Sequence, residues 1–276
     1  MEFKKYDDET LKHLQDVEMM ILKDVIKVCE ENDIGYCMYG GSLLGAIRHK
    51  GFIPWDDDID ILMLQNDYDR FIEVMQKTQS DKYELVNAEI TPGFYLTFTK
   101  VMLKGTIFEE WWVEQVDFEQ YINIDVFPLC NVSNNKYKRF FEVKLGRIYD
   151  RLLSMASIKL VHHPPATRFI ANSIHHVLKF LGLSTTFFNK RLWKILNKYR
   201  DGDCEFVCEI GALNLPQVYR KADLVPFKKA KFEDIEVNIA NDSDAILTQI
   251  FGDYMQLPPE EKRYNHAVDR VDFGKY

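Results

Sequence analysis

The 276-residue chain has no run of about 18 apolar residues, the length a membrane-crossing helix needs. Its first residues, Met1-Glu2-Phe3-Lys4-Lys5, lead into charge and not into the apolar core of a secretion signal, so a cytoplasmic chain is expected. Low-complexity segments and internal repeats are also missing. With 46% apolar and 13% aromatic residues, the chain is not of the disordered class and can bury a sizeable core. Cysteine is sparse. Five scattered thiols (Cys29, Cys37, Cys130, Cys204 and Cys208) give no disulfide framework and fit a reducing compartment. Cys204 and Cys208 are four residues apart, but their apolar setting reads as core packing rather than zinc binding.

Positive charge is scarce except in one place. Between Asn134 and Arg200 there are 14 basic and 2 acidic residues, and the rest of the chain holds 21 basic and 41 acidic ones. An acidic body excludes non-specific nucleic-acid binding. The basic stretch either faces something anionic, such as a membrane surface on the inner face of the cell membrane, or packs against the acidic body. The chain therefore divides into a core at 1–133, a basic insert at 134–200 and a C-terminal part at 201–276 that completes the body.

Apolar residues Leu11, Leu14, Val17, Ile21, Val25 and Val28 recur at three or four and predict a helix from Thr10, its N-cap, to Asn32. A short strand at 36–39, a Gly40-Gly41-Ser42 turn and a helix at 42–49 follow. The loop at 50–57 leads to a strand at 58–64. A helix at 66–77 is capped by Asn66, and strands follow at 83–88, 95–103 and 121–127, the last ended by Pro128. Turn-rich Asn131 to Asn135 opens the insert, whose periodicities predict helices over 137–155, 167–181 and 185–200. A final helix at 244–254 is closed by Leu257-Pro258-Pro259. The fold class is α+β, a mixed sheet with flanking helices and a mostly helical insert.

The chemistry-bearing stretch is Asp56-Asp57-Asp58-Ile59-Asp60-Ile61. Alternation on a strand turns Asp58 and Asp60 to one side and Ile59 and Ile61 to a core. Two carboxylates crowded on one face repel unless a cation lies between them, and oxygen ligands suit Mg²⁺ or Mn²⁺. Asn123-Ile124-Asp125-Val126-Phe127 offers a third carboxylate on another strand, where an acid is costly without a partner. Gly40-Gly41-Ser42, opening a helix, suits a phosphate, because glycine admits close approach and the helix start offers free N–H groups.

The stretch from Gly40 through Leu43-Leu44-Gly45-Ala46-Ile47-Arg48-His49-Lys50-Gly51-Phe52-Ile53-Pro54-Trp55 to Ile61 resembles the signature of the LicD and fukutin-related family. Asp125-Val126-Phe127-Pro128-Leu129 resembles its second block, and Phe251 to Pro259, with His266 beyond, its C-terminal block. At Asn238-Ile239-Ala240 the chain departs from relatives that carry a proline. The resemblance implies a nucleotidyltransferase-type fold and transfer of a phospho-alcohol from a CDP-activated donor, such as CDP-choline, to a sugar hydroxyl. The acceptor it implies is a cell-surface glycan or its lipid-linked precursor. Asp58, Asp60 and Asp125 are then the catalytic and metal-holding residues, with Gly40, Gly41, Ser42, Arg48 and Lys100 binding substrate.

Arg48 lies just past the phosphate-facing turn and is read as a partner of the donor diphosphate ahead of Lys50, or else as a solvated helix end. His49 is read as structural. Lys100, inside an apolar strand, either reaches a charge or sits at the surface. Trp55, Trp111 and Trp112 suit stacking on a base or a choline ammonium, with core packing the reading for at least two of them. Tyr95 and Tyr121 are open between these roles. His162-His163 and His175-His176 are read as a solvated face, not a metal site. Phe187, Phe188 and Trp193 are expected to dip into a membrane interface if the insert docks there. Two other functions compete: a nucleotidyltransferase acting on a small molecule, which releases pyrophosphate, and a non-catalytic membrane-surface adaptor, against which the three aspartates argue.

Overall fold

The computed structural model of the chain describes residues 5–109, 118–159, 164–211, 217–263, 265 and 268–276. Trp111, Trp112, His162, His163 and His266 lie outside the described residues. The first helix, α1 (Asp8–Glu31), starts earlier than its periodicity predicts, because Asp7 caps it by accepting from the Thr10 N–H at 2.8 Å. Thr10 is therefore inside the helix. Leu14, Ile21, Leu22 and Val25 on its inner face are wholly buried.

Strand β1 (Cys37–Met38) runs straight into α2 (Gly40–Leu44), which continues as a π-helical turn at Gly45–His49. The two glycines are thus the first residues of the helix and not a turn before it. Strand β2 (Asp60–Leu64) begins two residues later than expected, so Asp58 precedes it. Helix α3 (Gln65–Thr78) follows directly; Leu64 occupies its cap position with no side-chain bond, and Asn66 instead accepts from Arg200 Nε at 3.2 Å. Strands β3 (Tyr83–Val86), β4 (Thr99–Leu103) and β5 (Ile107–Glu109) lead to the long strand β6 (Asn123–Val132).

Pro128 does not end β6. The Asp125 N–H donates to the Ile59 carbonyl at 2.9 Å, toward β2, so alternate residues of β6 turn their N–H the other way. Pro128 is one of these. Its missing donor falls where β4 has stopped at its Thr99–Val126 pairing and the next partner, which begins opposite Cys130, has not started.

The insert comprises α4 (Lys136–Ser157), α5 (Pro165–Phe180) and α6 (Thr185–Leu196), the last extended by a 3-10 turn at Asn197–Tyr199. The chain then returns to the sheet as β7 (Phe206–Glu209) and β8 (Gln217–Arg220). It continues through α7 (Lys221–Leu224), the hairpin β9 (Lys228–Phe232) and β10 (Ile235–Ile239), α8 (Ser243–Phe251) and β11 (Arg270–Asp272). Among the described residues, seven strands form one mixed sheet, with β1-β2-β6-β4-β3 in order and β7 and β8 continuing from β6. β2 and β6 are parallel, and the other pairs are antiparallel. This is the α+β architecture with flanking helices.

The insert has its own cores. Leu192 and Leu196 pack on Cys130, Val132 and Cys208 of the sheet, and Leu153, Leu178 and Phe188 close the three helices on each other. His175 is buried there, with Nδ1 2.9 Å from the Met155 carbonyl, so it does not share the solvated face expected of it. All five cysteines are buried and free.

The π-helical turn is held close to the loop before the aspartates. A methyl group on Gly45 would lie 2.4 Å from the Gly51 carbonyl oxygen, which is backbone and cannot rotate away. Gly45→Ala should therefore cost about 1–3 kcal/mol, the range for overpacking. Urea unfolding measures it, and a variant as stable as the parent would show that the loop shifts freely.

Candidate active site

Three adjacent strands place three charged side chains in one row. Asp60 of β2 is opposite Asp125 of β6, and Asp125 is opposite Lys100 of β4. Directly paired residues point to the same face. The Lys100 ammonium lies 3.2 Å from Asp125 Oδ1 and 3.0 Å from Asn123 Oδ1. Its side chain is 9% exposed, so of the two readings of Lys100 the structure gives the one in which it reaches a charge. The neighbouring residue Thr99 points the other way, with its hydroxyl 2.5 Å from the Tyr68 hydroxyl of α3. The polar row and the helix-covered face are thus opposite sides of one sheet. Ile59 and Ile61, on either side of Asp60, are wholly buried.

The start of α2 is fitted against this row. Gly40 has φ +50°, and a Cβ there would lie 3.0 Å from Asp60 Oδ2; a Cβ on Gly41 would lie 2.6 Å from Asp56 Oδ2. The glycines therefore make room for the two carboxylates. The Ser42 hydroxyl accepts from the Asp60 N–H at 2.9 Å and donates to the Asp58 carbonyl at 3.5 Å. Ser42 is buried and pins the aspartate segment to the helix.

Arg48 is at the far end of the same helical run, where it donates to the Tyr254 carbonyl and to His49 Nε2. It lines a hollow of about 400 Å³ with Trp55, Phe251, Tyr254 and Pro258. The first and last sequence blocks of the chain meet here. Trp55 is half-buried with the Arg263 guanidinium 5.2 Å from its ring centre, so it is neither core nor free surface. A larger hollow of about 510 Å³ between α3 and α6, lined by Asp69, Asn189, Trp193 and Arg200, holds none of the row's residues. Tyr95 is buried and Tyr121 half-buried, its hydroxyl donating to Glu119.

Residue-level reading missed Glu18. It lies on the buried face of α1, four residues after Leu14 and three before Ile21, and an acid in that stripe was the available signal. Glu18 is 1% exposed, and its Oε2 has no hydrogen-bond partner among the described residues. Burial pushes its carboxyl well above the usual range, and Asp58, Asp57, Asp56 and Asp125 add to the rise. Burial likewise raises Asp60, reinforced by Asp58, Asp125 and Asp56 and opposed by Lys100. Gln15, one turn earlier on α1, donates to the Asp56 carbonyl at 2.9 Å.

The donors facing this place are oxygen atoms, which suits a hard divalent cation. As their side chains lie, however, no three acidic, imidazole or thiol groups among the described residues converge at metal-ligand spacing. Asp60 and Asp125 share a row, while Asp58 approaches from the segment before the strand.

Residues 33–147 match the family described as LicD/FKTN/FKRP, nucleotidyltransferase domain. The lipopolysaccharide cholinephosphotransferase LicD of Haemophilus influenzae is 31% identical over 274 residues, covering 95% of this chain and 97% of that protein. The chain belongs to the LicD family. The human ribitol 5-phosphate transferase FKRP is 25% identical over 146 residues, covering 44% of this chain and 30% of that protein. These LicD-family relatives are named as phosphotransferases, and this chain is an enzyme of that class.

Two measurements test the electrostatics. Glu18 and Asp60 are raised in the folded state, so their stabilising contribution is complete below the ordinary values of 4.5 and 3.8 and is lost as pH rises through the folded ones. In chelating buffer the thermal midpoint should fall as pH rises above 4.5, and Glu18→Gln, a mimic of the protonated acid, should flatten the fall. An identical slope in the variant would mean that Glu18 is ionised in the fold. Secondly, Lys100→Met removes the cation 3.2 Å from the half-buried Asp125 carboxylate and should cost on the order of 3 kcal/mol. Adding Asp125→Asn should recover part of that loss in urea unfolding; strictly additive effects would deny the coupling.

Proposed function

We propose that this LicD-family enzyme transfers a phospho-alcohol, phosphocholine first among the candidates, from a CDP-activated donor to a glycan hydroxyl, releasing CMP. The acceptor is a cell-surface glycan or its lipid-linked precursor. The observation that carries the reading is the row of Asp60, Asp125 and Lys100 in a chain that matches a lipopolysaccharide cholinephosphotransferase along nearly its whole length. The match to a ribitol 5-phosphate transferase supports the wider class of phospho-alcohol transfer to glycans.

In this reading Asp58, Asp60 and Asp125 hold Mg²⁺ or Mn²⁺, which when bound offsets the charge of the diphosphate and of the departing phosphate. The start of α2 at Gly40 and Gly41 lets the donor phosphates approach the backbone closely. Arg48 faces the hollow shared with Trp55 and offers a cation for the rest of the donor. The acceptor oxygen forms a bond to the phosphorus that bears the alcohol, while the bond from that phosphorus to the CMP oxygen breaks and its electron pair leaves with CMP. Asp125 takes the hydroxyl proton, and Lys100 keeps its carboxylate turned toward the row.

The test is to incubate the enzyme and Mg²⁺ with CDP-choline, CDP-ribitol or CDP-glycerol and a lipid-linked glycan, and to identify the products. CMP formed only with acceptor, and strongest with CDP-choline, is the expected result. Asp60→Asn should lower turnover by about 10³-fold or more while remaining folded. Pyrophosphate release from a nucleoside triphosphate would replace the proposal with nucleotidyl transfer.

A further inference from the structure

The insert turns apolar residues away from the molecule on two helices. On α4, Tyr137, Phe141, Leu145 and Ile148 follow a helical period opposite the buried Gly146, Asp150 and Leu153. On α5, Phe169, Val177 and Phe180 do the same opposite Ala171, His175 and Leu178. Phe141, Phe169 and Phe180 are 68%, 75% and 90% exposed, far beyond the isolated apolar side chain that any surface carries. The residues first expected to do this are placed differently. Phe188 is buried against Leu153 and Leu178, Trp193 stacks on Tyr68, and only Phe187 of the three is exposed.

Among the described residues, few of the charges around these stripes pair with the acidic body. Arg200 pairs with Asp69, but the pairs of Arg147 with Asp150 and of Lys198 with Glu142 lie within the insert. Lys138, Lys144, Lys179, Lys190, Arg191 and Lys194 reach no carboxylate within ion-pair distance among the described residues. Lys144 sits 4.5 Å from the centre of the Phe140 ring, so cation and aromatic group are interleaved on one face. Among the described residues no helix is long and apolar enough to cross a membrane.

We infer that the outer face of α4 and α5 docks on an anionic lipid bilayer. Aromatic and aliphatic side chains enter the headgroup boundary while the lysines beside them meet lipid phosphates. The net charge of +12 across residues 134–200 selects a negative surface, and the extended apolar stripes select one with a hydrocarbon interior. The inference does not depend on the transfer reaction, and its test uses no substrate.

The full-length protein is sedimented with vesicles of phosphatidylcholine alone and with vesicles in which about one third is phosphatidylglycerol. Binding to the second only, weakened by salt, is expected. Phe141→Ser with Phe180→Ser should weaken it at least tenfold, as should Lys144→Glu with Lys179→Glu. All four positions are exposed, and unchanged circular dichroism and thermal midpoint would confirm the fold. The proposal is overturned if the parent stays in the supernatant at low salt, or if it binds and both variants bind as well. It is equally overturned if the parent is a dimer in analytical ultracentrifugation that Phe141→Ser and Phe180→Ser convert to monomer, since a second copy then covers the face.

Discussion

The ion pair between Lys100 and Asp125 is the contact on which the polar row depends. β6 is the strand about which the sheet is arranged, and an ionised carboxylate on it is tolerable only beside a cation. The same register that brings Lys100 from one neighbour brings Asp60 from the other. A slip by one residue would turn Ile61 or Val126 into the row and bury the acids under α3. Register, and with it the chemistry, is therefore enforced by the apolar face as strongly as by the charged one.

Around that row the fold concentrates negative charge, and Lys100 is set against it. Asp56, Asp58 and Asp125 raise both Asp60 and the buried Glu18. Such crowding favours protonated carboxyl groups and, in the proposed reaction, a cation that would let a phosphate ligand approach. The supports are indirect. Gln15 and Ser42 grip the aspartate segment by its backbone, and Glu233, from the turn between β9 and β10, accepts from the Phe52 N–H at 3.0 Å. None of these residues has to touch a substrate to fix where Asp58 and Asp60 lie.

Much of this was legible in the sequence, and the unread part has physical causes. The long helices follow their apolar period, so α1, α3 and the three insert helices fall close to expectation. The errors gather at ends, where a side-chain bond decides: Asp7 rather than Thr10 caps α1, and Leu64, not Asn66, holds the N-cap position of α3 with no side-chain bond. Pro128 misled because whether a strand tolerates proline depends on which edge its missing N–H faces, and that is known only once partners are assigned. The aspartates were readable as a set, but Lys100 was undecided until β4 was seen to lie beside β6. Glu18 could have been found, since an acid in an apolar stripe asks for an explanation. The insert's outward face was not readable, because its helices carry large apolar residues on both sides and only packing tells them apart.

One feature of connectivity separates the two halves of the molecule. β6 and β7 are adjacent antiparallel strands, so the 134–200 segment leaves the sheet and returns to it at almost the same point. Asn134 accepts from the Glu205 N–H at 2.8 Å, and Asn131 donates to the carbonyls of Tyr199, Arg200 and Gly202 across that junction. A segment anchored in this way can lengthen, shorten or change its outer surface without altering the register of β2, β6 and β4. Lineages of the family are thus free to retune what the insert touches while the chemistry stays as it is, and divergence should accumulate on the outer faces of α4 and α5 much faster than along the row of Asp60, Asp125 and Lys100.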